Sequence, residues 1–415
     1  MKAPSNLKRT LRQAMVVGAA GALVFGGLTA CSSDDDSSAA SSGPTVELTE
    51  NAPTGEAIKV GLIVPESGTI SVPSVREGGE AAAEYLNANG GGVGGHKVEL
   101  EICKEAEEPV SATKCANEMV AKKVSVVITP MGSQGAVMLP IVTGAGIPYV
   151  AQAPVSQVEM AAPKTYMLSS GIVGVLSAQA ATAAKDGLKK VTVLIGDTGD
   201  AAASLKAMGE PIFSRAGVEL KVVTVPVSVA DPSAQIAAGL ADKPDAVSIL
   251  GDSRQCTSAL KALQTAAPDV QKYLISSCLD RPVVEAVGEE TYTNTKAFTT
   301  VDLTSDAETV NLYRTVMAKY APDTDPRGLA YMGYQTVMAL AEVGTGLQEG
   351  AVDAAAVDAA FGAARDLPLP AAPGLTFTCD GKAFPQLTSL CSKAMLVSDV
   401  GADLVFENTE VVNQD

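Results

Sequence analysis

Short apolar segments alternate with longer amphipathic segments along most of this chain. The first apolar segment, residues 58–64, has strand length and is rich in β-branched residues, and the following segment 75–89 has helical spacing. The same alternation then repeats. Further strands are predicted at residues 97–102, 124–129, 148–151, 191–195, 220–225, 246–250, 273–276 and 297–300. Further helices are predicted at residues 111–122, 135–143, 173–186, 201–216, 232–241, 256–266 and 282–287.

Strands that are apolar throughout and joined by helices indicate parallel sheets covered on both faces. So many strand–helix units exceed one comfortable sheet, and we therefore expect an α/β fold of two doubly wound parallel-sheet lobes. Three further helices are predicted at residues 306–320, 329–345 and 353–364. Residues 375–400 then predict a short β segment closed by a disulfide.

The N-terminus has the organisation of an export signal. Residues 2–12 are basic, and residues 14–28 form an apolar, glycine-rich stretch that is too short to span a bilayer comfortably. The stretch ends in LTAC, which resembles a lipobox, where cleavage leaves Cys31 to be acylated. We therefore expect a signal peptide at 1–30 and a lipidated cysteine with a flexible tether at 31–56. An ordinary signal peptide with a coincidental cysteine is the alternative.

Composition and charge narrow the possible partners. The net charge of −17 gives a surface that repels phosphate backbones and anionic lipid headgroups. Aromatic residues make up only 4% of the chain, too few for a stacking groove. We therefore expect no nucleic-acid partner and contact with a membrane through the lipid alone. The protein is expected on the outer face of the cytoplasmic membrane, or in the periplasm or cell-wall space.

The cysteines fit an oxidising compartment. With Cys31 lipidated, the remaining six form three sequence-local couples: Cys103 with Cys115, Cys256 with Cys278, and Cys379 with Cys391. Six cysteines allow many connectivities, but local pairing fits both the spacing and export. A metal site is the alternative, and it is disfavoured because the sequence has no CxxC motif and a single histidine. We expect no metal.

The sequence lacks recognisable catalytic motifs. The single histidine, His96, lies in a glycine-rich turn without an accompanying GxSxG, so a Ser-His-Asp triad has no support. We expect His96 to be a solvated turn residue. The glycine-rich segment 90–95 lacks the GK[ST] ending of a phosphate-binding loop. The YMGY segment at 331–334 predicts the buried face of a helix. We therefore expect neither an enzyme nor a cofactor.

Several segments, in this order, resemble the type 1 periplasmic solute-binding proteins of the branched-chain amino acid class. They are IKVGLIVPESG at 58–68, the segment 78–97 with its glycine-rich turn, residues 126–153, residues 328–343 and the TCDG at 378–381. The resemblance implies two lobes joined by a hinge of three crossing segments. It places lobe 1 at about 57–170 plus 299–365, and lobe 2 at about 171–298 plus 366–410.

The resemblance also implies where the ligand binds in lobe 1. Doubly wound sheets bind ligands outside the carboxyl ends of their strands. Ser133, followed by Gln134, matches the serine that holds the α-carboxylate of the ligand in this family, and its place at a helix N-terminus suits an anion. A plain helix N-cap is the other interpretation of Ser133. Ala153 and Ser156 in the next loop, and Ser67 after the first strand, are further candidates.

The sequence departs from the family pattern at two places. In the second lobe-1 loop, Pro154 lacks an N–H and the expected hydroxyl position falls on Val155. In lobe 2, Asp252 stands where a tyrosine is expected. Asp252 or Asp280 could pair with a ligand ammonium group, and either could simply cap a helix, with the cap favoured for Asp280.

The function implied by the resemblance is capture of a small ligand, an amino acid or a related carboxylate or amide, for delivery to the permease subunits of an ABC importer. A monomer is expected. The alternatives are a ligand-sensing lipoprotein that acts on a signalling partner, and a surface lipoprotein with the same fold that has lost ligand binding. The departure in lobe 2 leaves the identity of the ligand open.

Overall fold

The structure, a computed structural model, describes residues 44–68, 71–197, 201–226, 231–347 and 352–413. The expected signal peptide, Cys31 and the first part of the tether lie outside these residues.

The first half of the described chain builds a five-stranded parallel sheet. Its strands are β1 (Gly55–Pro65), β2 (His96–Glu105), β3 (Val126–Ile128), β4 (Tyr149–Ala151) and β5 (Thr165–Met167), in the order β2-β1-β3-β4-β5. The intervening helices are α1 (Pro73–Ala88), α2 (Pro109–Lys122), α3 (Gly135–Gly144) and α4 (Gln157–Ala161). Leu62 and Ile63 are both fully buried although they point to opposite faces of β1, because helices cover both faces of the sheet.

The second sheet is built next along the chain. Its parallel strands are β6 (Lys190–Asp197), β7 (Glu219–Pro226), β8 (Ala246–Leu250), β9 (Gln271–Ile275) and β10 (Thr295–Thr299). The accompanying helices are α5 (Gly171–Lys185), α6 (Ala201–Arg215), α7 (Ser233–Leu240), α8 (Ser253–Ala266) and α9 (Arg281–Val287).

The C-terminal part contributes helices that pack on the first lobe and strands that extend the second sheet. Helices α10 (Glu308–Tyr320), α11 (Ala330–Gly344) and α12 (Ala354–Ala363) precede a two-stranded sheet of β11 (Leu367–Pro368) and β12 (Thr376–Phe377). Strands β13 (Ala394–Val400) and β14 (Phe406–Asn413) then extend the second sheet in antiparallel fashion, giving the order β14-β13-β10-β9-β8-β6-β7. The expected fold of two parallel-sheet lobes is confirmed.

Every strand predicted up to residue 300 and every predicted helix has a counterpart, whereas β5, α4, β11 and β14 were not predicted. Strand β5 is only three residues long, and α4 is a five-residue helix. Strand β14 carries Glu407 and Glu410 at the edge of its sheet, where polar residues hide a strand pattern.

Part of the expected tether packs against the first lobe. The Val46 N–H donates to Thr315 Oγ1 at 3.0 Å, and the Asn51 N–H donates to the Ala88 carbonyl at 2.9 Å. Asn89 Nδ2 donates to the Thr49 carbonyl at 2.8 Å. A flexible tether through residue 56 is therefore wrong for its last ten or so residues, which lie along the lobe.

The chain after α12 stays with the first lobe longer than the sequence predicted. Leu375 and Phe377 belong to the same buried core as the residues of β1. The Cys391 N–H donates to the Met167 carbonyl at 2.9 Å, and β13 of the second sheet begins only at Ala394. We therefore propose that the third crossing lies near 391–394, and not at 365–366 as expected from the sequence.

Helices α1 and α11 cross at backbone contact distance. A Cβ atom at Gly78 would lie 2.0 Å from the Ala330 carbonyl oxygen, and one at Gly333 would lie 1.9 Å from the Val75 carbonyl oxygen. Each glycine therefore admits the backbone of the other helix where any side chain would collide with it. The crossing fixes α11, and with it Tyr331, against the first lobe.

The three cysteine couples form disulfides in the structure. Cys103 in β2 is bonded to Cys115 in α2, and Cys256 in α8 is bonded to Cys278, just after β9. Cys379 and Cys391 enclose the segment that precedes β13. Each bond thus joins neighbouring elements within one lobe or closes a local loop.

Replacing Gly333 by alanine should lower the free energy of unfolding by about 1–3 kcal/mol, because the methyl group must push the two helix backbones apart. Gly144→Ala is the matched control, since a Cβ at Gly144 meets no atom within 4 Å, and it should change stability by less than about 0.5 kcal/mol. Chemical denaturation of both variants measures the difference. Equal stability of the two variants would contradict the close helix crossing.

Candidate functional site

The candidate site lies where the order of strands reverses in each sheet. In the first sheet β1 is flanked by β2 on one side and β3 on the other, and in the second sheet β6 is flanked by β7 and β8. Loops that leave the carboxyl ends of such strands diverge and leave a crevice in which ligands bind. The predicted ligand-binding residues all lie in or next to these loops.

Ser133 and Gln134 lie at the start of α3, but neither side chain caps the helix. The Ser133 N–H donates to Glu107 Oε2 at 2.9 Å, and the Ser133 hydroxyl donates to the same oxygen. Gln134 Nε2 donates to Ser133 Oγ at 2.9 Å. We call the Ser133 N–H and hydroxyl the Ser133 donor pair. The pair has the geometry expected for binding a carboxylate, and the carboxylate it binds here belongs to the protein.

Glu107 is held in this position by several hydrogen bonds although its backbone conformation is unfavourable. Its φ of 57° is left-handed, which costs a residue with a side chain about 1–2 kcal/mol. The Glu107 N–H donates to Glu105 Oε2 at 2.7 Å, and the Glu107 carbonyl accepts from Gln134 Nε2 at 3.3 Å. The sequence analysis missed Glu107, and the only signal available was the acidic run at 105–108 directly after a strand.

Glu105 is a second carboxylate of this cluster, and only 2% of its surface is exposed. Burial raises the pKa of Glu105 to about 7, the nearby charge of Glu107 adds to the increase, and hydrogen bonds from backbone N–H groups oppose it. Glu105 is therefore partly protonated near neutral pH.

Ser67, in the loop after β1, is hydrogen-bonded to the end of β2. Its hydroxyl donates to the Lys104 carbonyl at 3.1 Å, and its N–H donates to the Glu105 carbonyl at 3.0 Å. Next to it, burial of Glu66 raises the pKa of that carboxyl, but hydrogen bonds from Arg76 and Lys104 more than offset the effect and lower the pKa overall. The two basic side chains are thus paired with Glu66.

The loop after β4 binds a carboxylate of its own helix. Ser156 caps α4, accepting from the Glu159 N–H at 3.3 Å, while Glu159 Oε2 accepts from the N–H groups of Ser156 at 2.8 Å and Val155 at 3.0 Å. Burial raises the pKa of Glu159. Ala153 is half-buried in the same loop. Ser156 is therefore engaged as a helix cap.

Gln152, at the start of the same loop, is buried. Its Nε2 donates to Thr300 Oγ1 at 2.8 Å, and its carbonyl accepts from the Ser169 hydroxyl at 2.9 Å. Ser169 lies between β5 and α5, and Thr300 lies directly after β10. Gln152 therefore joins the two chain segments that pass between the sheets.

The two lobe-2 acids have roles opposite to those favoured from the sequence. Asp252 caps α8, with Oδ1 accepting from the Gln255 N–H at 2.9 Å. Asp280 stands before α9 without capping it, and instead accepts from the Ser253 hydroxyl at 2.8 Å. Burial raises the pKa of Asp280. The prediction that Asp280 caps its helix is thus wrong, because its side chain forms no hydrogen bond to α9.

Tyr331 is a further polar group at this edge that the sequence did not reveal. It is buried, as predicted for its helix, and its hydroxyl lies near the side chains of Ser276 and Thr300. Burial raises the pKa of Tyr331 to about 12, and the charge of Asp280 adds to the increase. Because Tyr331 is on α11 and Ser276 follows β9, the hydroxyl connects the first lobe to a strand-end loop of the second.

His96 is also buried, so its interpretation as a solvated turn residue is wrong. Its Nδ1 lies 2.8 Å from the Glu56 carbonyl oxygen, at the start of β2 and away from the strand-end loops. Within the described ranges no cluster of three His, Cys, Asp or Glu side chains could bind a metal ion. No described helix is both long enough and apolar enough to cross a membrane.

A groove of about 610 Å³ lies elsewhere on the first lobe, between α1, the edge strand β2 and the residues after α10. It is lined by Glu77, Glu84, Leu100 and Asp323, among others, and by none of the strand-end loop residues. The candidate ligand-binding residues lie instead in several loops at the strand ends, near the points where the order of strands reverses.

Glu105→Gln should make the stability of the protein less dependent on pH. The pKa of Glu105 lies above its ordinary value of 4.5, so the folded protein binds more protons than the unfolded chain between about pH 4.5 and 7. As the pH rises from about 4.5 to 7, the free energy of unfolding of the wild type should therefore fall, and Glu105 should account for roughly 1–2 kcal/mol of the decrease.

Denaturation at several pH values measures this difference, and Glu108→Gln at an exposed neighbouring position is the matched control. This decrease in the free energy of unfolding should be absent from the Glu105→Gln variant and present in the Glu108→Gln variant. A decrease of the same size in all three proteins would contradict the raised pKa.

The comparisons with known proteins agree with this architecture. A family model described as periplasmic binding protein matches residues 57–389. The Leu/Ile/Val-binding protein BraC3 of Rhizobium johnstonii is 34% identical over 85 residues, which is 20% of this chain and 23% of that protein. The chain thus aligns with about a quarter of that curated relative.

Solved structures match over a greater length. A leucine-binding protein of Thermotoga maritima has a TM-score of 0.68 at 20% identity, covering 86% of this chain and 99% of its own. A solute-binding protein of an ABC transporter from R. palustris, solved with 4-hydroxybenzoate, has a TM-score of 0.67 at 18% identity, covering 86% and 98%. The chain belongs to the periplasmic binding protein family.

Proposed function

We propose that this chain is an exported lipoprotein that captures a small solute between its two lobes and delivers it to the permease of an ABC importer. The observation that carries the proposal is the pair of doubly wound sheets, each presenting hydrogen-bonding side chains where its strand order reverses. We also propose that the protein acts as a monomer, because the two lobes of one chain supply both sides of the site.

The first lobe offers the Ser133 donor pair, Gln134, and the loop that carries Ala153 and Ser156. The second lobe offers Asp280, whose carboxylate accepts only a serine hydroxyl among the hydrogen bonds described. Asp252, on the preceding loop of the same lobe, is ion-paired with Arg254 at 3.4 Å. These groups are polar, partly exposed and supplied by several loops, which is the arrangement that small-molecule sites use for specificity.

The segments between the sheets support a hinged clamp. Residues 168–170 and 300–303 pass from one sheet to the other. They are joined through Gln152, whose carbonyl accepts from Ser169 and whose Nε2 donates to Thr300. Tyr331 of α11 lies near Ser276 of the second lobe. A clamp that opens must exchange such contacts for water, and single hydrogen bonds, worth about 0.5–1.5 kcal/mol each, can be exchanged at small cost.

The nature of the solute follows from the loops of this chain and not from its relatives. The similar proteins are a leucine-binding protein and one solved with 4-hydroxybenzoate, and at 20% identity or less they share the fold only. An amino acid or a related carboxylate or amide remains the starting hypothesis.

One observation favours the alternative of a clamp that has lost ligand binding. The Ser133 donor pair, which would hold a ligand carboxylate, is occupied by Glu107. A solute screen separates the two functions, because a clamp without binding activity gains no stability from any solute.

A broad set of small solutes should contain at least one that raises the melting temperature of the purified protein. A solute present at about 100 times its dissociation constant adds about 2.7 kcal/mol to the free energy of unfolding. Asp280→Asn should reduce the shift, because it removes a charge at the strand ends, and Asp403→Asn on the exposed turn before β14 should not. If no solute in the set raises the melting temperature, the proposed function is wrong.

Cys31→Ser should move the protein from the membrane fraction to the soluble fraction of cells that express it. The physical reason is that two acyl chains anchor a protein stably, whereas the polar chain alone does not partition into lipid. Incorporation of labelled palmitate, present in the wild type and absent from the variant, checks the modification directly. Ser32→Ala is the control. A wild-type protein that is fully soluble and unlabelled would rule out the lipid anchor.

A further inference from the structure

The lobe-1 end of the site contains a carboxylate where an amino acid would place its own. We propose that Glu107 determines the solute class: the protein binds a cationic amine or guanidinium compound without an α-carboxylate, and discriminates against the corresponding amino acid. This inference rests on the proposed function and replaces its starting hypothesis for the ligand class.

The Ser133 donor pair is already hydrogen-bonded to the carboxylate of Glu107. Glu107 Oε2 lies 2.9 Å from the Ser133 nitrogen and also accepts the Ser133 hydroxyl, while Oε1 lies 3.2 Å from the same nitrogen. A ligand carboxylate needs these same donors. It could reach them only by displacing Glu107, or by lying against it with like charges in contact, which is unfavourable.

Glu107 is not easily displaced, because its backbone is fixed as well as its side chain. Its N–H is bound to Glu105, its carbonyl accepts from Gln134, and its left-handed φ sets the direction of the side chain. A Cβ atom at Gly132 would lie 3.2 Å from Glu107 Oε1, so the loop before Ser133 also packs against the carboxylate. The Glu107 carboxylate is thus held in a fixed position on the strand-end surface.

The surrounding charges favour a cation. Within the described part of the chain, neither Glu105 nor Glu107 forms an ion pair, and the nearby Arg76 and Lys104 are both paired with Glu66. The second lobe contributes Asp280, again without an ion pair among the described residues. Both lobes therefore present a carboxylate that lacks a basic partner, and a positively charged solute would supply one.

The experiment compares solutes that differ only in the α-carboxylate: agmatine with arginine, cadaverine with lysine, and tyramine with tyrosine. Calorimetry on the purified protein should show that at least one decarboxylated compound binds, with a dissociation constant at least about tenfold lower than that of its amino acid partner. Glu107→Gln should reduce this ratio by about tenfold or more, mainly by strengthening binding of the amino acid.

Two further variants make the result interpretable. Glu107→Asn keeps a residue type that tolerates left-handed φ while removing the charge, so it should behave like Glu107→Gln even if the latter folds poorly. Glu108→Gln removes one negative charge from the next, exposed position and should leave the ratio within about twofold.

The possible failures are distinguishable. If arginine, lysine or tyrosine binds the wild type more tightly than its decarboxylated partner, the inference is wrong while the proposed function stands. The same holds if neutralising Glu107 leaves the ratio unchanged, or if only solutes outside these pairs raise the melting temperature. If no solute of any class binds any of the proteins, the proposed function is itself wrong, and the inference falls with it.

Discussion

The parallel arrangement of the strands is the constraint on which the rest of the site depends. Because the carboxyl ends of parallel strands meet at one edge of a sheet, the loops after β2 and β3 open on either side of β1. Glu107 and Ser133 are 26 positions apart in the chain, yet these loops bring them into hydrogen-bond contact across the end of β1. Strand β3 is apolar throughout, so the polar groups beyond it come from its loop.

The sequence was sufficient for the fold because hydrophobic periodicity reports directly on buried strands and helices. It failed at short or polar elements such as β5 and β14, where too few buried positions carry the pattern. Ser133 was placed correctly after its strand, but its partner Glu107 was not, because that contact depends on a left-handed backbone and on how two loops fold. The burial of His96 and Gln152 likewise comes from tertiary contacts that loop sequences do not encode locally.

The lobe-2 sequence contains a signal for one helix cap. Asp252 and Gln255 have the spacing of a capping box, which predicts the cap that the structure contains. With Asp252 assigned to this cap, Asp280 is the acid available for a ligand. Together with Glu107, Asp280 gives the protein a carboxylate in each lobe, and this distinguishes its strand-end surface from one arranged around a ligand carboxylate.

We propose that a small solute binds between the lobes at the strand ends, and a crystal structure of the protein with a solute that raises its melting temperature is the decisive measurement. We expect density for the solute within hydrogen-bond distance of loops from both sheets, with Glu107 and Asp280 in contact with it. Density confined to the groove beside Glu77 and Asp323, or to the surface of one lobe, would show that the solute does not bind between the lobes.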